Sequence, residues 1–193
     1  SDLVERYKGQ QIEEVVFYFS GHGDFVGTDF YHILADFDPT SRNQTSLANS
    51  ELDGLIRALN PTLFTKFVDA CYSGTSYIKS DDDLGDFLKS SRTGFKDAYF
   101  LYSSQSDERS WTDGPISAFT KSLLEAIGRE DSGTVRYRDL ISAVSDYFEA
   151  RGRQTPQFVT QASFTEVFCE ATPQMQQLVG RYIPIKPAAT SPA

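Results

Sequence analysis

A histidine held between two glycines, His22 in Ser20-Gly21-His22-Gly23, and a cysteine followed by small residues, Cys71 in Cys71-Tyr72-Ser73-Gly74, are the residues of this chain best suited to chemistry. An imidazole within reach of a thiol draws off its proton and leaves the nucleophilic thiolate. Such a pair is the dyad of a cysteine hydrolase. Gly23 extends the arrangement, because without a side chain its backbone N–H approaches a substrate closely and, with the N–H of Cys71, can stabilise a tetrahedral oxyanion. Taken singly, each residue has an ordinary structural reading, as a hydrogen-bonded histidine or a packed cysteine. Their placement in two glycine turns after consecutive buried strands favours catalysis.

The elements that must position them follow from the hydropathy pattern. Residues 15–19, Val-Val-Phe-Tyr-Phe, predict a buried strand ending in a tight glycine turn at Ser20-Gly21-His22-Gly23, and residues 63–70 predict a second strand ending at Cys71. Between them Leu52, Leu55, Ile56 and Leu59 mark a helix, with Ser50 as its cap, Asp53 returning the bond and Asn60-Pro61 as its stop. Strand, helix, strand implies a right-handed crossover and parallel strands, so both motifs lie at carboxyl ends, where open parallel sheets bind ligands. A third strand is expected at 98–103. One helix is expected from Pro115 to Gly128, with Ile116, Phe119, Leu123 and Ile127 inward, and another over 138–150, with Leu140, Ile141, Val144 and Phe148 inward. A last strand is expected at 165–169. The reading is one domain over 1–172 and a loosely ordered tail or linker over 173–193, punctuated by Pro173, Pro184, Pro187 and Pro192. A doubly wound sheet opens with its own strand and helix, yet 14 residues precede Val15 and read as the end of a helix. The first strand and helix are therefore expected in an upstream segment or a companion chain.

Composition narrows the partners. With 27 acidic and 18 basic residues the net charge is −9, which argues against nucleic acid. The 15 Phe, 10 Tyr and one Trp supply ample packable bulk, so the chain is expected to fold. The longest apolar runs, 15–19 and 98–102, fall far short of the roughly 20 residues of a membrane span, and the N-terminus lacks a secretory pattern, so the expected location is the cytoplasm. Two cysteines in dissimilar settings read as free thiols. His32 reads as a strand residue with no spaced partner for zinc, and no metal site or phosphate-binding glycine loop is expected.

Tyr18-Phe19-Ser20-Gly21-His22-Gly23 and Val68-Asp69-Ala70-Cys71-Tyr72-Ser73-Gly74 resemble the two catalytic motifs of caspase-like cysteine peptidases. Their 49-residue separation is similar to the roughly 50 residues of caspases. The later stretches Leu101-Tyr102-Ser103-Ser104, Asp107-Glu108, Ser110-Trp111, Phe119-Thr120, Leu123-Leu124 and Gln154-Thr155-Pro156-Gln157 resemble those of prokaryotic caspase homologues and metacaspases. Animal caspases carry glutamine where this chain has Asp69, and metacaspases usually carry histidine where it has Tyr72, so the bacterial homologues fit best.

The resemblance implies a three-layer α/β caspase-like fold with a mostly parallel central sheet. It implies an endopeptidase with Cys71 as nucleophile, His22 as base, and no redox or nucleotide cofactor. In metacaspases the aspartate matching Asp69 and the serine matching Ser20 line the primary specificity pocket, which implies protein or peptide substrates with Arg or Lys before the scissile bond. A carboxylate ending a buried strand also needs a partner on physical grounds, and a substrate cation would supply one; backbone N–H groups are the alternative. By the same resemblance the segment 103–111, from Ser103 on, forms the other wall of the substrate site, with Ser104 near the substrate backbone, Asp107 adding negative charge and Trp111 offering an apolar surface, although ordinary core packing explains Trp111 as well. Some metacaspases need calcium. Asp81, Asp82, Asp83 and Asp86, or Asp29, Asp36 and Asp38, could serve it, although a solvated loop and turn formation explain them as well. Self-cleavage after Lys79, Lys89, Arg92 or Lys96 is a further expectation. The rival readings are a catalytically silent scaffold and a thiol acyltransferase.

Overall fold

A computed structural model of the chain describes residues 2–26, 29–70, 94–104, 116–129, 133–151, 155–163 and 166–183. They divide into two compact units, Ser1–Ser110 with Gln154–Ser163, and Trp111–Arg153 with Phe164–Ala193.

The first unit is α/β. It holds α1 (Asp2–Arg6), β1 (Glu14–Val26), β2 (Asp29–Ile33), α2 (Arg42–Thr45), β3 (Ser46–Ala48), α3 (Asn49–Leu59), β4 (Leu63–Ala70), β5 (Asp97–Tyr102) and a strand at Gln157–Gln161. That strand is the seventh in chain order, β7, and the sheet order is β3-β2-β1-β4-β5-β7. The centre is parallel, β1 with β4 and β4 with β5, while the β1–β2, β2–β3 and β5–β7 pairings are antiparallel. Every residue of β4 is buried, Thr65, Lys66 and Asp69 included, as befits a central parallel strand. On one face Phe30, Phe64, Val68, Phe100 and Tyr102 pack against Leu52 and Ile56 of α3, and full burial of each such side chain stabilises by about 1.5–3 kcal/mol. Among the described residues, no strand pairs with the other edge of β1 over 14–21.

Two local expectations are corrected. The predicted turn at Ser20-Gly21-His22-Gly23 is absent: β1 runs on to Val26, leaves β4 after Gly21 and pairs with β2 from His22 onward. Gly21 and Gly23 are not among the residues with positive φ. Gly21 serves instead for close approach, since a Cβ there would lie 3.0 Å from the Phe19 ring. Nor does Ser50 cap α3 with its own side chain. The helix starts at Asn49, and Ser50 donates both its N–H (3.2 Å) and its hydroxyl (2.5 Å) to the carboxylate of Asp29 on β2, which places an anion at the positive end of the helix. Asn60, in the left-handed region at φ 49°, ends the helix before Pro61.

The second unit holds α4 (Ala118–Arg129), β6 (Gly133–Arg136), α5 (Tyr137–Glu149), β8 (Val167–Ala171) and α6 (Pro173–Val179). β6 pairs with β8 antiparallel, and α4 packs against α5 and α6. Tyr137, Leu140, Val144 and Phe148 form the buried stripe of α5. Residues following Thr172, expected as loose tail, begin instead with α6: the Thr172 hydroxyl accepts the Met175 N–H, Pro173 stands in the first turn, and Val179 and Ile183 are buried.

Candidate active site

The parallel ladder of β1 and β4 runs from Glu14↔Leu63 to Ser20↔Asp69 and Gly21↔Ala70 without an offset. His22 follows Gly21 in β1, and Cys71 follows Ala70 in the chain; Cys71 itself lies outside the described residues, as do Asp107 and Trp111 and the stretches holding Asp81 and Lys79. His22, one of the two residues expected to do chemistry, therefore stands one residue past the last rung, on the strand whose partner ends one residue before Cys71. Residues in register on parallel strands share a face, and alternate residues of a strand share a face. Ser20, Asp69 and His22 thus lie on one face, opposite the one that α3 covers. His22 and Ser20 are exposed, whereas Asp69 is 3% exposed.

Gly23 sits one step further along, paired with His32 of β2. His32 is fully buried, as a strand residue, with the edges and faces of Phe17, Phe19 and Phe30 around it at 4.8–5.3 Å between ring centroids. Its Nδ1 lies 3.0 Å from the Leu47 carbonyl, so Nδ1 carries the proton, and Nε2 has no hydrogen-bond partner among the described residues. Burial is the main cause that lowers its pKa from 6.5 to about 4, with the Lys66 charge adding to it and the Leu47 bond opposing. Between pH 6.5 and 4 the unfolded chain takes up a proton that the folded chain refuses. The contribution of His32 to stability is therefore fully present above about pH 6.5 and is lost, by about 3 kcal/mol, as the pH drops to 4. His32→Asn keeps an amide donor for Leu47 but does not titrate. Its denaturant stability, measured from pH 7 to 4, is expected to fall by about 3 kcal/mol less than that of the native protein; parallel curves would show that His32 does not titrate in this way.

Ser103 and Ser104, which follow β5, are fully buried. The Ser103 hydroxyl accepts the Ala70 N–H at 3.1 Å and donates to the Ala70 carbonyl at 3.0 Å, and the Ser104 hydroxyl donates to that same carbonyl at 3.2 Å. Both engage the residue that precedes Cys71.

Two ion-paired groups escaped the sequence reading. Arg42 of α2 donates to the Asp24 carboxylate at 2.7 Å and lies over the rings of Tyr31 and Phe37 at 5.6 and 5.4 Å, tying the segment after β2 to the strand that carries His22. Beneath the sheet, Lys66 of β4 is completely buried. Its Nζ donates to Asp53 Oδ1 at 2.6 Å and Asn49 Oδ1 at 2.7 Å and stands 4.5 Å from the centre of the Phe100 ring. Burial pushes the Lys66 pKa down and the Asp53 charge opposes it. The one available signal was a lysine in the middle of a mostly apolar strand, together with an aspartate inside the apolar stripe of α3.

Among the described residues no three His, Cys, Asp or Glu side chains are grouped to hold a metal ion. Asp29 is engaged with α3, and Asp38 accepts the Thr40 N–H and hydroxyl, which hold its carboxyl below the ordinary value. Cys169 is a free, half-buried thiol whose pKa is raised by burial and then by Glu170. No described helix is long and apolar enough to cross a membrane.

A family model for the caspase domain matches residues 1–168. The chain belongs to the caspase-domain family. No curated protein matches it. Membership places this caspase-domain chain among the cysteine peptidases in general, and a peptidase acts on proteins or peptides. The α/β sheet with its parallel centre fits that assignment.

Proposed function

We propose that this caspase-domain protein is a cysteine endopeptidase that cleaves after Arg or Lys. The observation that carries the reading is the unshifted β1–β4 ladder ending at Gly21↔Ala70, one residue short of His22 on one strand and of Cys71 on the other. In the proposed reaction His22 accepts the Cys71 proton as Sγ attacks the scissile carbonyl carbon. The N–H groups of Gly23 and Cys71 hold the oxyanion, and His22 returns the proton to the departing amine, leaving a thioester. Water, deprotonated by His22, then hydrolyses the thioester and frees the thiol. Every proton is accounted for without a redox or nucleotide cofactor.

Basic specificity is supported by Asp69, a carboxylate 3% exposed at the carboxyl end of β4, beside Ser20 and on the His22 face. A substrate guanidinium or ammonium meeting it would form a charge-assisted, desolvated pair. Asp69→Asn keeps the shape and removes the charge. It is expected to lower kcat/KM for Arg and Lys peptides by about 30-fold or more, the cost of breaking such a pair, while the reaction of Cys71 with a small alkylating reagent stays at the native rate. Undiminished cleavage after Arg by Asp69→Asn would place the specificity elsewhere.

A further inference from the structure

The sequence resemblance assigns Ser103 and Ser104 to substrate. From the geometry we infer that they are positioning residues for the nucleophile, their hydroxyls fixing the peptide groups of Ala70 and so the direction in which the chain enters Cys71. This rests on the reading of Cys71 as nucleophile.

β4 and β5 are paired up to Val68↔Tyr102, and the Ser103 N–H still donates to the Val68 carbonyl at 2.9 Å. Beyond that point, the Ser103 side chain holds the Ala70 N–H and carbonyl on the β5 side of the strand. A hydroxyl has one proton to give and lone pairs to receive, and the Ser103 hydroxyl uses both on the same residue, at 3.1 and 3.0 Å. The second lone pair of the Ala70 carbonyl takes the Ser104 hydroxyl at 3.2 Å. Both serines and Ala70 are 0% exposed, so water does not stand ready to replace a lost bond. On the other side of β4 the ladder holds Ala70 opposite Gly21, next to His22. Fixing Ala70 from the β5 side thus sets how the residue after it is presented toward the strand of the general base. Full burial and bonds already made to the main chain suit this role better than a hydroxyl kept for substrate.

The test compares the native protein with Ser103→Ala, Ser103→Thr and Ser104→Ala. One readout is the rate at which iodoacetamide, too small to need a substrate pocket, alkylates Cys71, followed by mass mapping with Cys169 as internal reference. The other is kcat and KM on an Arg peptide. Loss of a buried hydrogen bond predicts that Ser103→Ala slows Cys71 alkylation and lowers kcat, each by about 10- to 100-fold, with KM within about two-fold of native. Ser104→Ala leaves the Ser103 bonds in place and is expected to give a smaller loss of the same kind; it carries the test if Ser103→Ala does not fold. Ser103→Thr retains the hydroxyl and should restore most of both rates. A raised KM with unchanged alkylation would return the serines to substrate binding and overturn the inference. Equal slowing at Cys169 would overturn it too, as general loosening. If the native protein cleaves no peptide, the peptidase reading fails, while the alkylation rates still decide whether the serines set the presentation of Cys71.

Discussion

Asp53→Ala is expected to destabilise the protein by about 3–5 kcal/mol, because it strands a completely buried ammonium group. Lys66 would keep the Asn49 oxygen at 2.7 Å and the face of the Phe100 ring, but lose the carboxylate at 2.6 Å that offsets its desolvation. Asn49 would suffer in turn, since its amide donates to Asp53 Oδ2 at 3.2 Å. Stability of this size is a large share of what a domain has. The measurement is the denaturant midpoint at neutral pH. Replacing both charges with apolar residues of similar volume, Lys66→Met with Asp53→Leu, should recover most of the loss, as buried ion pairs replaced by well-packed side chains commonly do. A single variant within about 0.5 kcal/mol of native, the range of ordinary surface changes, would mean that Lys66 is not charged where it lies.

The second large effect concerns the reaction. His22→Ala is expected to lower kcat by about 10² to 10⁴, the usual contribution of a positioned general base. Some activity should survive, since a free cysteine is a few per cent thiolate near neutral pH. Cys71→Ala leaves no nucleophile and should abolish the thioester route altogether. His22 is exposed and makes its β-sheet bonds through the backbone, so its removal should leave the unfolding midpoint nearly unchanged. Loss of activity with stability intact separates a chemical role from a structural one.

How much of this was legible in the sequence depended on how local the cause was. β4 falls on the expected residues 63–70, and β5 lies one residue from its expected place, because β-branched and aromatic runs bounded by turn residues leave little choice of length. The stripes of α3 and α5 followed from a 3.6-residue period. The extension of β1 through Gly21 and Gly23 was not legible. Glycine commonly marks a turn, and what keeps these glycines extended is a change of partner from β4 to β2, a non-local event. A strand at His32 was legible, but its start at Asp29 and its pairing with β3 were not: Asp29 interrupts the apolar character and bonds Ser50 of α3, and the enclosure of His32 by three phenylalanine rings is non-local. The serines after β5 could be marked as site residues from motif likeness, but their partner Ala70 stands 33 and 34 residues earlier in the chain. No spacing rule links such pairs. Asp53 was read as a helix-capping partner because its sequence neighbours allow it; the lysine it pairs with belongs to another element.

The most direct measurement is cleavage of three matched peptides, with Arg, Lys or Asp before the scissile bond, by native protein and by Cys71→Ala purified side by side. The native protein is expected to hydrolyse the Arg and Lys peptides and not the Asp peptide, and the variant is expected to hydrolyse none. Equal rates for the two proteins would contradict a Cys71-based mechanism, and cleavage of the Asp peptide alone would contradict the role given to Asp69.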